Sequence, residues 1–177
     1  MVCYWERTIK YLMKIIENYL KPEEFNNFKS MFFKNNFPWF LNTILPDIKE
    51  KQFAHYFFKN HQKTSLFFDS LKPFIEQLSI YVLLRAKANL LIKTNKHIEH
   101  GYHIDDDNKK IPIKTAIFYI NTNNGYTKFK TGEKILSKEN TLVVFDNQEE
   151  HTGSTCTDEE YRLVLNINYI EGTYNVI

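Results

Sequence analysis

An α+β fold is predicted, with helices first and a β sandwich or jelly roll after them, the helices packed on one sheet. Three observations in the 177-residue sequence predict it. Up to residue 80 apolar residues recur mainly at helical spacing, and from Leu84 the period changes to two. Beyond that point turn formers separate a series of short apolar runs. Leu142-Val143-Val144-Phe145 is apolar on both sides and therefore needs cover on both faces. The length fits a single domain over 1–177, since chains of this size bury roughly 70% of their unfolded surface.

Val2, Trp5, Ile9, Leu12, Met13, Ile16 and Leu20 share one face of an amphipathic helix over 2–20. Pro22, Glu23 and Glu24 open a second helix, where proline loses no hydrogen bond and carboxylates meet the positive end of the dipole. Phe25, Phe28, Met31 and Phe32 form its apolar face. Between 35 and 65, the aromatic clusters at 37–40 and 53–58 are separated by turn formers such as Pro46 and Asp47. That stretch reads as loop with one short strand near Phe53. A third helix is expected over 65–80, with Leu71, Phe74, Ile75 and Leu78 on one side and Pro73 in its first turn or at a kink.

Leu84, Ala86, Ala88, Leu90 and Ile92 then alternate with Arg85, Lys87, Asn89, Leu91 and Lys93, the pattern of a strand with one apolar face. Further strands are expected over 103–105, 114–121, 127–129, 133–136, 141–145, 151–156 and 161–170. Asn123-Asn124-Gly125 and Thr131-Gly132 read as turns between them. On this reading 1–83 is mainly helical support and loops, and 84–171 is the jelly-roll core.

Net charge is +2, and no extended basic stripe favours nucleic acid as a partner. Cys3 and Cys156 imply no disulfide framework, so a reducing cytoplasm is the simpler setting. No apolar run approaches the ~18 residues of a membrane span. Glu6, Arg7, Lys10 and Lys14 also break the N-terminus where a signal peptide would be apolar. A soluble chain with no membrane partner is expected.

The chemistry-bearing residues are His103, Asp105 and His151, with Arg162 beyond them. On a strand, the side chains of His103 and Asp105 leave the same face a few ångströms apart, and His151 must come from another strand. Two imidazoles and one carboxylate at adjacent corners of a coordination sphere are the ligand set of non-haem Fe(II) oxygenases, which leave positions open for substrate and O2. Arg162 offers a planar fork of donors that matches a carboxylate. His97, His100 and His103 with Glu99 allow a different metal site, although a structural zinc site would usually include Cys. Asp106 and Asp107 read as solvated loop residues. Arg85 and Lys87 either meet solvent or line a substrate entrance.

From about 85 to 170 the chain resembles the 2-oxoglutarate and Fe(II)-dependent oxygenases, in particular the small prolyl-hydroxylase-like type common in phages and marine microbes. The resemblance rests on His103-x-Asp105, the distal His151 and the basic Arg162, and Gly125-Tyr126-Thr127-Lys128-Phe129 is similar to the family's G-x-T-x-F segment. It implies a double-stranded β-helix in which His103, Asp105 and His151 bind Fe(II) and Arg162 anchors the far carboxylate of 2-oxoglutarate. Thr127 would lie on a strand facing the pocket. Where relatives often carry Ser two residues after the Arg, this chain has Val164, so Tyr119 or Asn89 would have to supply the missing hydrogen bond.

The implied activity consumes O2 and 2-oxoglutarate, hydroxylates a C–H bond and releases succinate and CO2. A peptidyl residue such as proline is the expected target; a free amino acid, another small metabolite or a modified nucleobase stays open, because loops choose the substrate. Oligomeric state is not legible. Two other readings stand beside this one: a cupin-like metalloenzyme without 2-oxoglutarate, which would have no carboxylate arm for Arg162 to anchor, and a non-catalytic jelly-roll binding module.

Overall fold

The computed structural model describes residues 13–43 and 51–172. In chain order they form β1 (Lys14–Glu17), α1 (Pro22–Met31), β2 (Phe40–Thr43), β3 (Lys51–Lys59), a short β4 (Gln62–Lys63) and a 3-10 turn (Phe68–Leu71) that runs into α2 (Lys72–Gln77). Then follow β5 (Ile80–Ile92), β6 (Ile113–Tyr119), β7 (Asn123–Phe129), β8 (Lys134–Ser137), β9 (Thr141–Asp146), β10 (His151–Gly153) and β11 (Tyr161–Glu171).

Alternation along the strands builds two apolar layers. Ala116, Phe118 and Ile120 of the β6 segment, Leu142 of β9 and Leu163, Leu165, Ile167 and Tyr169 of β11 meet Phe25, Phe28 and Met31 of α1 and Phe74 of α2. Their in-between neighbours Ile117, Tyr119, Val143, Phe145 and Val164 form a second layer with Phe129 of β7. The two-sided cover expected for 142–145 is therefore present. Phe74 and Phe118 are fully buried and meet edge to face at 5.0 Å; truncating such a ring to alanine costs roughly 3–5 kcal/mol.

The large sheet has the order β1-β9-β6-β11-β5-β3-β2, with β4 paired to β3, and the small sheet has the order β10-β7-β8. All pairs are antiparallel. Facing sheets of this kind, with helices on the outer side of the larger one, are the jelly-roll arrangement expected from the sequence.

Several boundaries differ from the sequence expectation. Of the helix read over 2–20, residues 2–12 lie outside the described residues; Lys14–Glu17 is instead a strand, paired with Thr141–Val144. An edge position on β9 satisfies that segment's backbone groups as a helix would, and tertiary pairing overrides its helical period. The stretch read as loop over 35–65 holds β2, β3 and β4, all joined to the large sheet. Ala54, His55 and Phe57 of β3 are buried, and a bulge between Tyr56 and Phe58 breaks the strict alternation that would have revealed the strand. Residues before 84 are thus as much sheet as helical support.

The helix read over 65–80 is cut to the 3-10 turn and α2, with Pro73 in the first turn of α2. Asn123-Asn124-Gly125 is not a turn but the bulged start of β7. Asp158 accepts from the Asn124 N–H at 3.0 Å and the Asn123 side chain from the Gly125 N–H at 2.9 Å, which replaces the missing ladder bonds. Thr131-Gly132 does turn, with Gly132 at φ 110°.

Candidate metal centre and co-substrate pocket

His103 and His151 face each other as an isolated antiparallel bridge. Each backbone N–H donates to the other residue's carbonyl at 3.0 Å. Directly opposed residues of such a pair point to the same side, which brings two imidazoles from distant parts of the chain to ring centroids 4.7 Å apart. The expected strands over 103–105 and 151–156 shrink to this bridge, to β10 and to a bridge between Glu99 and Ser154. Gly101, at φ 82°, takes the left-handed conformation that turns the chain into the bridge.

Asp105, two residues on, shares that side. One ligand atom from each of His103, Asp105 and His151 lies within 4.8 Å of the others. The Nδ1 of His103 is 3.2 Å from the Gly101 carbonyl, and that of His151 is 3.0 Å from the Glu149 carbonyl. A carbonyl only accepts, so Nδ1 carries the proton in both rings and Nε2 keeps its lone pair for a cation.

The Asp105 carboxylate is held from both oxygens. Arg85 Nη2 donates to Oδ1 at 2.6 Å; Asn168 Nδ2 and Thr115 Oγ1 donate to Oδ2 at 2.9 and 3.2 Å. Arg85 Nε also donates to Asn168 Oδ1 at 2.8 Å, which closes the network and sets the amide's orientation. Burial would raise the Asp105 pKa, but the charges of Arg85, His151 and His103 and the Asn168 hydrogen bond outweigh it and hold the group well below the usual carboxylate range. Burial, against the pull of Asp105, lowers His151 and favours its neutral, metal-binding form.

These residues end a cavity of about 180 Å³, and Arg162 also lines it. Arg162 is 3% exposed. Its Nε donates to Ser137 Oγ at 2.8 Å and its Nη2 to Thr127 Oγ1 at 3.2 Å, and the guanidinium lies 5.6 Å from the Tyr119 ring centroid. Among the described residues it forms no ion pair with a carboxylate. Burial lowers its pKa, because a desolvated guanidinium is costly to keep charged.

Thr127 Oγ1 also accepts from the Tyr119 hydroxyl at 2.9 Å. With two donors on its lone pairs, the Thr127 hydroxyl has only its own proton to give, and it lines the cavity. The Tyr119 hydroxyl is committed to Thr127, whereas Asn89 lines the cavity with an unpartnered, buried Oδ1. Asn89 stands opposite Val164 in the β5–β11 register, so a polar group does sit beside the place where the family pattern would put Ser.

The Gly125-x-Thr127-x-Phe129 spacing now has a steric reason. A Cβ on Gly125 would meet Arg162 Cδ at 2.6 Å and Asn123 Oδ1 at 2.7 Å. Gly125→Ala should displace the guanidinium and weaken the binding of a carboxylate ligand in the cavity about tenfold or more, since a misplacement of ~1 Å can cost 100-fold. Titration of both proteins with a dicarboxylate would check it, and an unchanged affinity would mean that Arg162 tolerates the shift.

Sequence reasoning did not assign Arg85, Asn168, Thr115 or Ser137. A common signal existed for Arg85 and Asn168 only, as polar residues at alternate positions of apolar strands. Of the rival histidine cluster, His97 is near Asn124 and Tyr126 instead of the centre, and among the described residues only His103, Asp105 and His151 gather as a metal-sized group.

No family model matches this chain, and no curated protein does. Solved structures do. A 2OG-Fe(II) oxygenase family oxidoreductase from Burkholderia pseudomallei is similar with a TM-score of 0.66 at 13% identity, over 94% of this chain and 88% of that one. A prolyl hydroxylase from Trichoplax adhaerens, solved with a hypoxia inducible factor peptide fragment, is similar with a TM-score of 0.64 at 11% identity, over 90% and 83%. A prolyl-4-hydroxylase from Pseudomonas putida gives 0.58 at 13%, over 92% and 95%. The chain therefore has the double-stranded β-helix fold of the 2-oxoglutarate oxygenases, the fold that the sequence resemblance implied.

Proposed function

We propose that this chain is an Fe(II)- and 2-oxoglutarate-dependent dioxygenase that hydroxylates a C–H bond, with a peptidyl residue such as proline as the target. The observation that carries the reading is Arg162, a buried cation without a carboxylate partner among the described residues, in the same cavity as the His103, Asp105 and His151 cluster. A co-substrate with a carboxylate at each end fits that polarity. The donor set also fits Fe(II), with Nε2 atoms of two neutral imidazoles and one ionised carboxylate.

When bound, Fe(II) and 2-oxoglutarate would supply the oxidising chemistry, with O2 consumed and succinate and CO2 released. The chain's part is to hold and orient. His103, Asp105 and His151 would hold the metal, and Arg85, Asn168 and Thr115 keep the Asp105 carboxylate in one orientation. Arg162 would hold the far carboxylate of 2-oxoglutarate, Thr127 would donate its hydroxyl proton to the same group, and Asn89 would contact the co-substrate from β5. Tyr119 and Ser137 position Arg162. Ile117 and Val164 give the cavity apolar wall that keeps water away from the reacting atoms.

The peptidyl target is supported by the neighbour solved with a peptide and by the prolyl hydroxylases among the similar folds. The cupin-like reading without 2-oxoglutarate leaves Arg162 with no anion to bind. Anaerobic addition of Fe(II) and 2-oxoglutarate should produce a visible metal-to-ligand charge-transfer band, followed on admission of air by succinate. A protein that binds neither, with no band at saturating concentrations, is not an oxygenase of this kind.

A further inference from the structure

Among the described residues that line the cavity stand three cations, Arg85, Lys87 and Arg162, and one carboxylate, Asp105. Arg85 is paired with Asp105 at 2.6 Å. Arg162 lies beneath the small sheet with Thr127 and Tyr119 around it, where the proposed function sets the co-substrate's far carboxylate. Lys87 has neither assignment. Among the described residues its ammonium forms no ion pair with a carboxylate, and it lies over the Tyr56 ring, 5.4 Å from Nζ to the centroid.

The surroundings of Lys87 are polar and unfilled. It lies on β5 between Arg85 and Asn89, all three facing the cavity, and it is in register with Asn166 of β11. Asn89, only 8% exposed, and Asn166 each carry a buried Oδ1 with no hydrogen-bond partner. Buried amide atoms are almost always partnered. An amide oxygen only accepts, so these two call for N–H or O–H donors of a ligand, and it is the unpaired ammonium of Lys87 beside them that calls for an anion. Ile117 and Val164 of the same sheet are apolar, and with Arg85 paired to Asp105 and Arg162 assigned to the co-substrate, Lys87 is, among the described residues, the cavity cation left to answer a substrate's charge. Burial and the neighbouring Arg85, against the pull of Asp105, lower Lys87 to about 8, and an adjacent anion would oppose that shift.

Lys87 lies toward β3, whereas Arg162 lies toward β7 and β8 of the small sheet. Tyr56 and Gln52 belong to β3, which pairs with β5 on the flank away from β11. The small sheet covers the other flank, where Phe129 packs on Ile117, Val143 and Val164.

We infer that the primary substrate carries a carboxylate close to the carbon that is oxidised, bound by Lys87 with the Asn166 amide beside it. This rests on the oxygenase reading and narrows its substrate. The carboxylate can come from a free amino acid, from the C-terminal residue of a peptide or from an acidic side chain flanking the target residue.

The test uses the full chain, anaerobic, with Fe(II) and 2-oxoglutarate bound, and follows the charge-transfer band as probes are added. The probes are the common L-amino acids and their carboxamides, proline-ending dipeptides with free or amidated C-termini, and capped tripeptides with aspartate or asparagine beside proline. Expected is a carboxylate probe that shifts the band, with its amide twin at least about tenfold weaker, and the responding series identifies the source. Lys87→Met and Lys87→Gln should erase the acid-over-amide preference while the Kd of 2-oxoglutarate changes less than about twofold. The inference is overturned if acids and amides bind alike, if no carboxylate probe binds, or if both variants weaken 2-oxoglutarate as much as the substrate, which would assign Lys87 to the co-substrate. If the wild-type protein forms no band, the oxygenase reading itself has failed; a normal band with no acid preference rejects only the substrate inference.

Discussion

Asp105→Ala protein will release no measurable succinate and will bind Fe(II) more than about 100-fold more weakly than wild type, beyond the 10–100-fold that loss of an outer-shell partner brings. The reason lies in how completely the carboxylate is held. Arg85, Asn168 and Thr115 donate to its two oxygens, and no other acidic group joins the cluster among the described residues. Alanine leaves two imidazoles, a weaker site that lacks the charge needed to balance a divalent cation. Succinate release and equilibrium dialysis against Fe(II) or Mn(II) read the two effects separately; full turnover by this variant would sink the assignment of the centre.

The same residue sets an acid limit on stability. Because the folded pKa of Asp105 is depressed, its stabilising contribution is complete above the ordinary carboxylate value near 3.9 and is lost as pH falls from there toward the folded value. His151 acts at higher pH. Its folded pKa is lowered, so the unfolded chain binds a proton that the native state refuses as pH drops below about 6.5, and stability falls there too. The Tm gap between wild type and Asp105→Asn, measured on the metal-free protein, should narrow as pH is taken from 5 to 3. A gap constant across that window would mean that the carboxylate gains nothing from its partners.

Arg162→Met is expected to weaken 2-oxoglutarate binding by about 30-fold to 1,000-fold or more, because truncating one partner of a buried, hydrogen-bonded charge pair costs roughly 2–5 kcal/mol and each ~1.4 kcal/mol is tenfold. Metal binding should stay within about threefold of wild type, since the hydrogen bonds of Arg162 go to Ser137 and Thr127 and to none of the three ligand residues. The ligand-free Tm should stay within about 4 °C of wild type, or rise. In the free protein a buried guanidinium without a counter-charge is a cost; its removal offsets the two hydrogen bonds lost by Ser137 and Thr127. Tight co-substrate binding in this variant would remove the anchor role. A large fall in Tm with unchanged co-substrate affinity would make Arg162 a structural residue.

How far the sequence reached differs between the sheet and the parts around it. The strand at 84–93 was legible because its alternation is strict, and the two-sided strand at 142–145 because four apolar residues in a row need cover on both faces. α1 was legible from Pro22 and the two glutamates that follow. β3 was not, since its bulge at Tyr56/Phe58 and its aromatic richness hide the period, and Lys14–Glu17 was misread because four residues with Ile15 and Ile16 among them fit either period. The bulged Asn123-Asn124-Gly125 looked like a turn because its compensating acceptor, Asp158, is remote in sequence.

For the site, the sequence by itself determined the set of donor groups: two imidazoles, a carboxylate two residues from one of them, a guanidinium on the last strand, and a glycine and a threonine with the spacing to face it. It also led to the expectation that His103 and Asp105 share a side, although the strand that expectation used is reduced to a bridge at His103. Only the tertiary structure decided that His151 closes the cluster, that Arg85 and Asn168 clamp Asp105, that Gly125 makes room for Arg162, and that Lys87 is left without a partner. Each of these depends on which residues stand opposite one another across strands far apart in the chain. That register is set by the packing of both sheet faces together, which no local period records.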